Sequence, residues 1–183
     1  MTKYISILRG INVGGKRKIL MADLRALYQS LGFENIITYI QSGNIIFASK
    51  QKNKNNAFRK KIKDAIFEKY GFDVPVIMRS MEELKSIVEN HPFEKKKGVQ
   101  IENLCLTFLS EVPTEENLAK INTYDYSPDL FQVIEDNAFI FIQGKYHQSK
   151  LTNNFFEKQL LVSATTRNWK TVIKLLELST IEK

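Results

Sequence analysis

Lys3 to Leu8 is a compact apolar run that predicts a strand, and from Met21 the apolar positions shift to Met21, Leu24, Leu27, Tyr28 and Leu31, the spacing of one helix face. Gly32 is placed to end that helix. Asn35 to Ile40 and Asn44 to Ala48 are β-branched runs separated by Gln41-Ser42-Gly43, which predicts an antiparallel hairpin. Helical spacing returns through Phe58, Ile62, Ala65, Ile66 and Lys69 within Ala57 to Tyr70 and stops at Gly71. Phe72 to Met78 is then expected as a fourth strand, with Pro75 tolerated best at a sheet edge. The order is β-α-β-β-α-β.

Ser80 and Glu83 have the spacing of a capping box, opening a helix to about Asn90 that His91-Pro92 ends. A polar stretch, Glu94 to Gly98, follows and suggests a boundary. The expected domains are therefore residues 1–93, a basic plait with a connecting helix, and residues 94–183, a second plait-like domain with C-terminal helices. The second half offers a strand Leu104 to Leu109, a helix Glu115 to Ile121 and a hairpin of Leu130 to Glu135 with Ala138 to Gln143. Phe155, Phe156 and Leu160 suggest one helix; Trp169, Val172, Ile173 and Leu176 suggest another, started by a cap at Thr166 or Asn168. No sixth element of this half reads as a strand. The fold class expected is α+β: two ferredoxin-like halves with antiparallel sheets, the second with an extra C-terminal helix.

Charge divides the chain unevenly. Residues 1–100 carry 19 lysines and arginines against 9 acids, and residues 101–183 carry 8 against 11. A basic first half favours anionic partners, a phosphate-bearing small molecule or nucleic acid, although the Lys50 to Lys63 run also reads as a solvated helix face. No run approaches the length of a membrane helix and Tyr4 to Leu8 is too short for a signal peptide, so no membrane partner and a cytoplasmic location are expected. Cys105 is alone in an apolar strand, and with only His91 and His147 beside it no metal cluster or other cofactor is expected.

Candidate chemistry begins with Arg9-Gly10-Ile11-Asn12-Val13-Gly14-Gly15-Lys16-Arg17-Lys18, three glycines and four cations between a strand and a helix. Gly10 to Lys16 spells the first part of a phosphate-binding P-loop, but Arg17 stands where a magnesium-holding Ser or Thr belongs. A looser anion nest around Gly14 and Gly15, flanked by Lys16 or Arg17, and a plain glycine turn both remain open. In a β-α-β-β-α-β plait, strands 1 and 3 are antiparallel neighbours, which brings Arg9 and Asn12 close to Gln41, Ser42 and Asn44. A second candidate group is Thr166, Arg167, Asn168 and Trp169, with Lys150 nearby in sequence: an Arg-Asn-Trp set can hold a carboxylate, phosphate or base, or Trp169 can simply pack. His147 with Ser149 lacks an acid at triad spacing, and Asp125 with Asp129 reads as a loop or a carboxylate pair.

Four stretches, Leu8 to Gly15, Thr38 to Asn44, Ser149 to Thr152 and Thr165 to Trp169, together resemble the bacterial family called domain of unknown function 1697, over the whole chain. The resemblance implies two ferredoxin-like halves and no established activity, so it supplies no catalytic residues. The function expected is binding of an anionic ligand at the first loop. The alternatives are a metal-independent enzyme on a phosphorylated substrate, stabilising charge with Arg9, Lys16 and Arg167, and an RNA-binding plait.

Overall fold

The structure is a computed structural model that describes residues 1–52 and 55–181. Asn53 and Lys54, within the Lys50 to Lys63 run, lie outside the described residues. Two compact units divide the chain: residues 1–86 with the stretch from Lys174 onward, and residues 87–173.

In the first unit β1 (Thr2–Leu8) leads to α1 (Met21–Ser30), the hairpin β2 (Glu34–Tyr39) and β3 (Asn44–Ser49), α2 (Asn55–Tyr70) and β4 (Val76–Ser80). The strands form one antiparallel sheet in the order β2-β3-β1-β4. Alternation along β1 sends Tyr4, Ser6 and Leu8 to the helix-covered face, where Tyr4, Tyr28, Phe33, Phe47 and Phe58 pack ring against ring, with Phe33 and Phe47 centroids 4.2 Å apart. Ser6 and Tyr28 satisfy each other's hydroxyls at 2.7 Å within this core. Burial holds the Tyr28 phenol well above its ordinary range. The other face carries Ile5, Ile7, Ile46, Ile77 and Arg79, all buried.

The fourth strand begins at Val76, four residues later than its pattern suggested. Pro75 lacks the N–H a strand needs, so it serves only through its carbonyl, which accepts from Arg9 N at 3.0 Å. β4 is an edge strand, as Pro75 required. The capping box forms at α3 (Met81–Glu89): Glu83 N donates to Ser80 Oγ at 3.1 Å, and Ser80 N donates back to the Glu83 carboxylate.

The second unit repeats the plan with β5 (Leu104–Leu109), α4 (Glu115–Ile121), β6 (Leu130–Ile134), β7 (Asn137–Phe141), α5 (Asn153–Leu160) and β8 (Ala164–Asn168), in the order β6-β7-β5-β8. Its helix-side core includes Cys105, Leu109, Ile140, Phe156 and Leu160. β8 corrects the expectation that this half lacks its last strand. Ala-Thr-Thr-Arg-Asn has no apolar alternation to announce it, yet it pairs with β5 from Cys105↔Asn168 to Leu109↔Ala164. Thr166 is consequently a strand residue and not a helix cap; its hydroxyl meets Thr107 Oγ1 and Asn153 Oδ1, each at 2.7 Å. α6 (Trp169–Thr180) follows directly.

The equivalence of the two halves extends to register. Leu8 N donates to Gly43 O at 2.8 Å, as Leu109 N does to Asp136 O at 2.9 Å. Arg79 faces Ile5 across β4 and β1, as Arg167 faces Leu106 across β8 and β5, and both arginines are buried.

Candidate functional site

Topology gathers five chain segments at one end of the first sheet. β1 ends there, α1 starts there, and β3 starts beside β1 because the two are antiparallel. α2, running back along the sheet, ends there just before β4 begins. The twelve residues 9–20 join β1 to α1 at this end. In the second unit the same passage, β5 to α4, takes only residues 110–114. The first connection is therefore much longer than the fold itself demands, and long connections inside compact domains are where binding groups concentrate.

Its middle is a miniature hairpin. Val13 and Lys16 bridge, Lys16 N donates to Val13 O at 3.0 Å, and Asn12 N donates to Arg17 O at 3.2 Å. Gly14 and Gly15 both have positive φ, 58° and 73°, which is the I′-type reversal that matches strand twist. An anion nest alternates right- and left-handed residues to converge its N–H groups. Two consecutive left-handed glycines do not make one, so the nest reading of Gly14 and Gly15 gives way to a hairpin tip. Lys16 and Arg17 stand exposed on it, with the Arg17 guanidinium 3.4 Å from where a Cβ on Gly10 would be.

Asn12, itself at φ 55°, pins the loop. Its Nδ2 donates to Ile19 O and to Gln41 O, and its Oδ1 accepts from Ile19 N, all at 2.9 Å. One side chain thus ties both ends of the loop to the β2–β3 turn, and the expected meeting of the Arg9 to Lys18 loop with Gln41 to Asn44 is present. The approach is close: a Cβ at Gly43, φ 82°, would lie 2.7 Å from Leu8 Cβ and 2.8 Å from Ile11 Cδ1. Asn44 is buried, and its Nδ2 donates to Tyr39 O at 3.1 Å and Ser42 Oγ at 3.0 Å. Asn12, Ser42 and Asn44 thus hold the architecture, and Arg9 N belongs to β4's entry through Pro75.

The concavity these bonds create is a cleft of about 370 Å³. Its lining includes Asn12, Lys18 and Gln41, the apolar Leu20 and Met21, and Asp23 with Tyr70. Leu20, the residue before α1, accepts from Leu24 N at 3.0 Å through its carbonyl but supplies no side-chain cap to the N–H groups ahead of Leu24. Tyr70 is the unexpected member. Its hydroxyl oxygen is enclosed and has no hydrogen-bond partner, and burial, then the charge of Asp23, hold the phenol above its ordinary range. On a side chain that lines the cleft, an enclosed donor without a partner and close enough to a carboxylate to feel it is the feature of this site that packing does not explain. Asp23 and Tyr70 escaped the sequence reading because they belong to two different helices; the clue was topological, since α2 must end where β3 begins.

The remaining candidates lie in the second unit. Lys150 Nζ sits 5.8 Å from the Tyr126 ring centroid, beside Asp125 and Asp129. Those acids are clasps: Asp125 accepts from Ser127 N and Oγ, and Asp129 from Gln143 N and Ser149 Oγ. Arg167 is buried, donates to Thr165 Oγ1 and Thr166 O at 2.9 Å each, and is drawn down to about 10 by loss of solvent. Trp169 is fully buried, 4.3 Å from the His91 ring, with its Nε1 donating to Glu94 at 3.4 Å. Asn168 is exposed and accepts weakly from Cys105 Sγ, a thiol that burial pushes up to about 11. Among the described residues no set of His, Cys, Asp and Glu side chains is placed to hold a metal, and no helix is long and apolar enough to cross a membrane.

The family described as "Protein of unknown function (DUF1697)" matches residues 1–139, which takes in the first two of the four resembling stretches and stops before Ser149 to Thr152 and Thr165 to Trp169. Among solved structures, the chain is similar to the conserved bacterial protein SP0830 from Streptococcus pneumoniae, with 26% identity and a TM-score of 0.75 over 98% of this chain and 99% of that one. No curated protein matches it.

Proposed function

The chain belongs to the family of proteins of unknown function DUF1697, and from this premise we propose that it is a cytoplasmic binding protein for a small phosphate-bearing ligand, taken up in the cleft at the end of the first sheet. The observation that carries the reading is the contrast between residues 9–20 and their five-residue counterpart 110–114. The same fold closes with the shorter passage, and the longer one is folded, by Asn12, into the wall of a cleft. Lys18 and the uncapped start of α1 are the anion-favouring groups on that wall. A volume of about 370 Å³ suits one small ligand. A lone buried Cys105 agrees with a reducing compartment.

A metal-independent enzyme on a phosphorylated or nucleotide-like substrate is the second reading, and the carboxylate of Asp23 beside an enclosed phenol is the observation that favours it. An RNA-binding plait gains less support, because Ile5, Ile7, Ile46 and Ile77, on the face where such plaits stack bases, are buried. The test is a thermal-shift panel of inorganic phosphate, pyrophosphate, sugar phosphates and nucleotides. The reading requires at least one phosphorylated compound to raise the melting temperature of the wild type, and less so for Lys18→Ala. It fails if none does at millimolar concentration.

A further inference from the structure

The cleft is not uniformly cationic, and its mixed character identifies the ligand more closely than charge alone. Lys18 and the first N–H groups of α1 suit a phosphate, whereas the carboxylate of Asp23, two residues into α1, accepts hydrogen bonds and repels anions. A ligand that is phosphate throughout, such as pyrophosphate, would set one of its anionic groups against Asp23. Tyr70 sharpens the requirement. Tyr70 lines the cleft, and its hydroxyl is unpartnered and close enough to Asp23 for the carboxylate's charge to oppose its ionisation; the oxygen is enclosed, so a ligand reaches this neutral O–H, able both to donate and to accept, once the side chain shifts toward the cleft. A carboxylate beside a neutral hydroxyl is complementary to a neighbouring pair of alcohols: one donates to the acid, the other exchanges a bond with the phenol. Leu20 and Met21 also line the cleft and offer a carbon skeleton apolar surface.

We propose that the ligand is a monophosphorylated polyol, a sugar phosphate of roughly pentose size, bound with its phosphate toward Lys18 and the start of α1 and with vicinal hydroxyls on Asp23 and Tyr70. The inference rests on the cleft being the anion site. It adds Asp23 and Tyr70 as the residues that choose among anions, a task neither the Gly-rich loop nor the β2–β3 turn performs.

Calorimetric titration with ribose 5-phosphate, inorganic phosphate and free ribose tests it, on the wild type, Asp23→Asn and Tyr70→Phe. Tyr70→Phe removes an unpartnered hydroxyl and should fold normally, which keeps the test independent of stability. Ribose 5-phosphate should bind the wild type at least tenfold more tightly than inorganic phosphate, and free ribose should not bind measurably. Asp23→Asn should lose at least tenfold toward ribose 5-phosphate while holding inorganic phosphate as well as before or better, and Tyr70→Phe should lose several-fold toward the sugar phosphate alone. If inorganic phosphate binds in a Lys18-dependent way but ribose 5-phosphate gains nothing, or if Asp23→Asn tightens the sugar phosphate, the polyol assignment is overturned and the anion site stands. If neither compound binds, both fall.

Discussion

Acid should weaken this protein through His91. The imidazole is 6% exposed, its Nδ1 accepts from Phe93 N at 3.1 Å, and its Nε2 has no partner; Phe139 and Trp169 present ring contacts at 5.0 and 4.3 Å. A charged ring would lose water there without a compensating acceptor, so burial lowers its pKa from 6.5 to about 4. The folded state keeps the ring neutral while the unfolded chain protonates it near 6.5. The stabilisation is thus complete above about pH 7 and is lost as pH falls from 6.5 toward 4. Linkage over that shift gives about 2.6 kcal/mol at pH 4.5, reduced to about 2 kcal/mol by residual solvent screening. Glu94, which accepts from Trp169 Nε1, is a charged neighbour of this cluster. A variant must therefore separate the two. His91→Asn keeps an acceptor for Phe93 N and does not titrate. Urea unfolding followed by the fluorescence of Trp169, the only tryptophan, at pH 7.0 and 4.5 should show the wild type losing about 2 kcal/mol more than His91→Asn. Equal losses in the two proteins would refute the buried-neutral account.

Gly43→Ala should destabilise by about 2–4 kcal/mol in denaturant unfolding, since it adds a left-handed Cβ to a contact of 2.7 Å with Leu8, whereas Gly14→Ala, in open space, should lose only about 1 kcal/mol. Asn12→Ala removes three bonds and should weaken the first unit by about 2 kcal/mol while raising amide exchange at Ile19. Trp169→Ala should remove about 3–5 kcal/mol, and Arg167→Ala about 2 kcal/mol rather than the small effect of a surface change, because its guanidinium is buried and bonded. Lys16→Ala, at the exposed hairpin tip, should shift stability by no more than about 0.5 kcal/mol.

Elements with their own periodicity were legible from the chain: α1, α2, β5 and α4 fall where the spacing of apolar residues put them, and Ser80 with Glu83 forms its box. β8 was not, because its buried positions include Thr165 and Arg167, and a strand that buries polar groups gives no alternation to read. The meeting of the Gly-rich loop with the Gln41 to Asn44 turn followed from strand adjacency alone. What each residue does there did not. Asn12 and Asn44 have the side chains of ligand groups, and the structure spends them on the backbone. Gly14 and Gly15 could make a nest or a reversal, and only φ decides. Tyr70 reads as the last turn of a helix, and its orphan hydroxyl appears only when α2 is laid against α1.

The proposed binding of a phosphorylated ligand has a definite place, the cleft in the first unit. Amide chemical shifts recorded by two-dimensional NMR during titration with ribose 5-phosphate test it most directly. Saturable changes should concentrate at Gly15, Lys18 to Asp23, Gln41 and Tyr70, with residues 145–150 and 164–169 unmoved. Changes centred on Lys150 or on Arg167 and Trp169, or none at all, would contradict it.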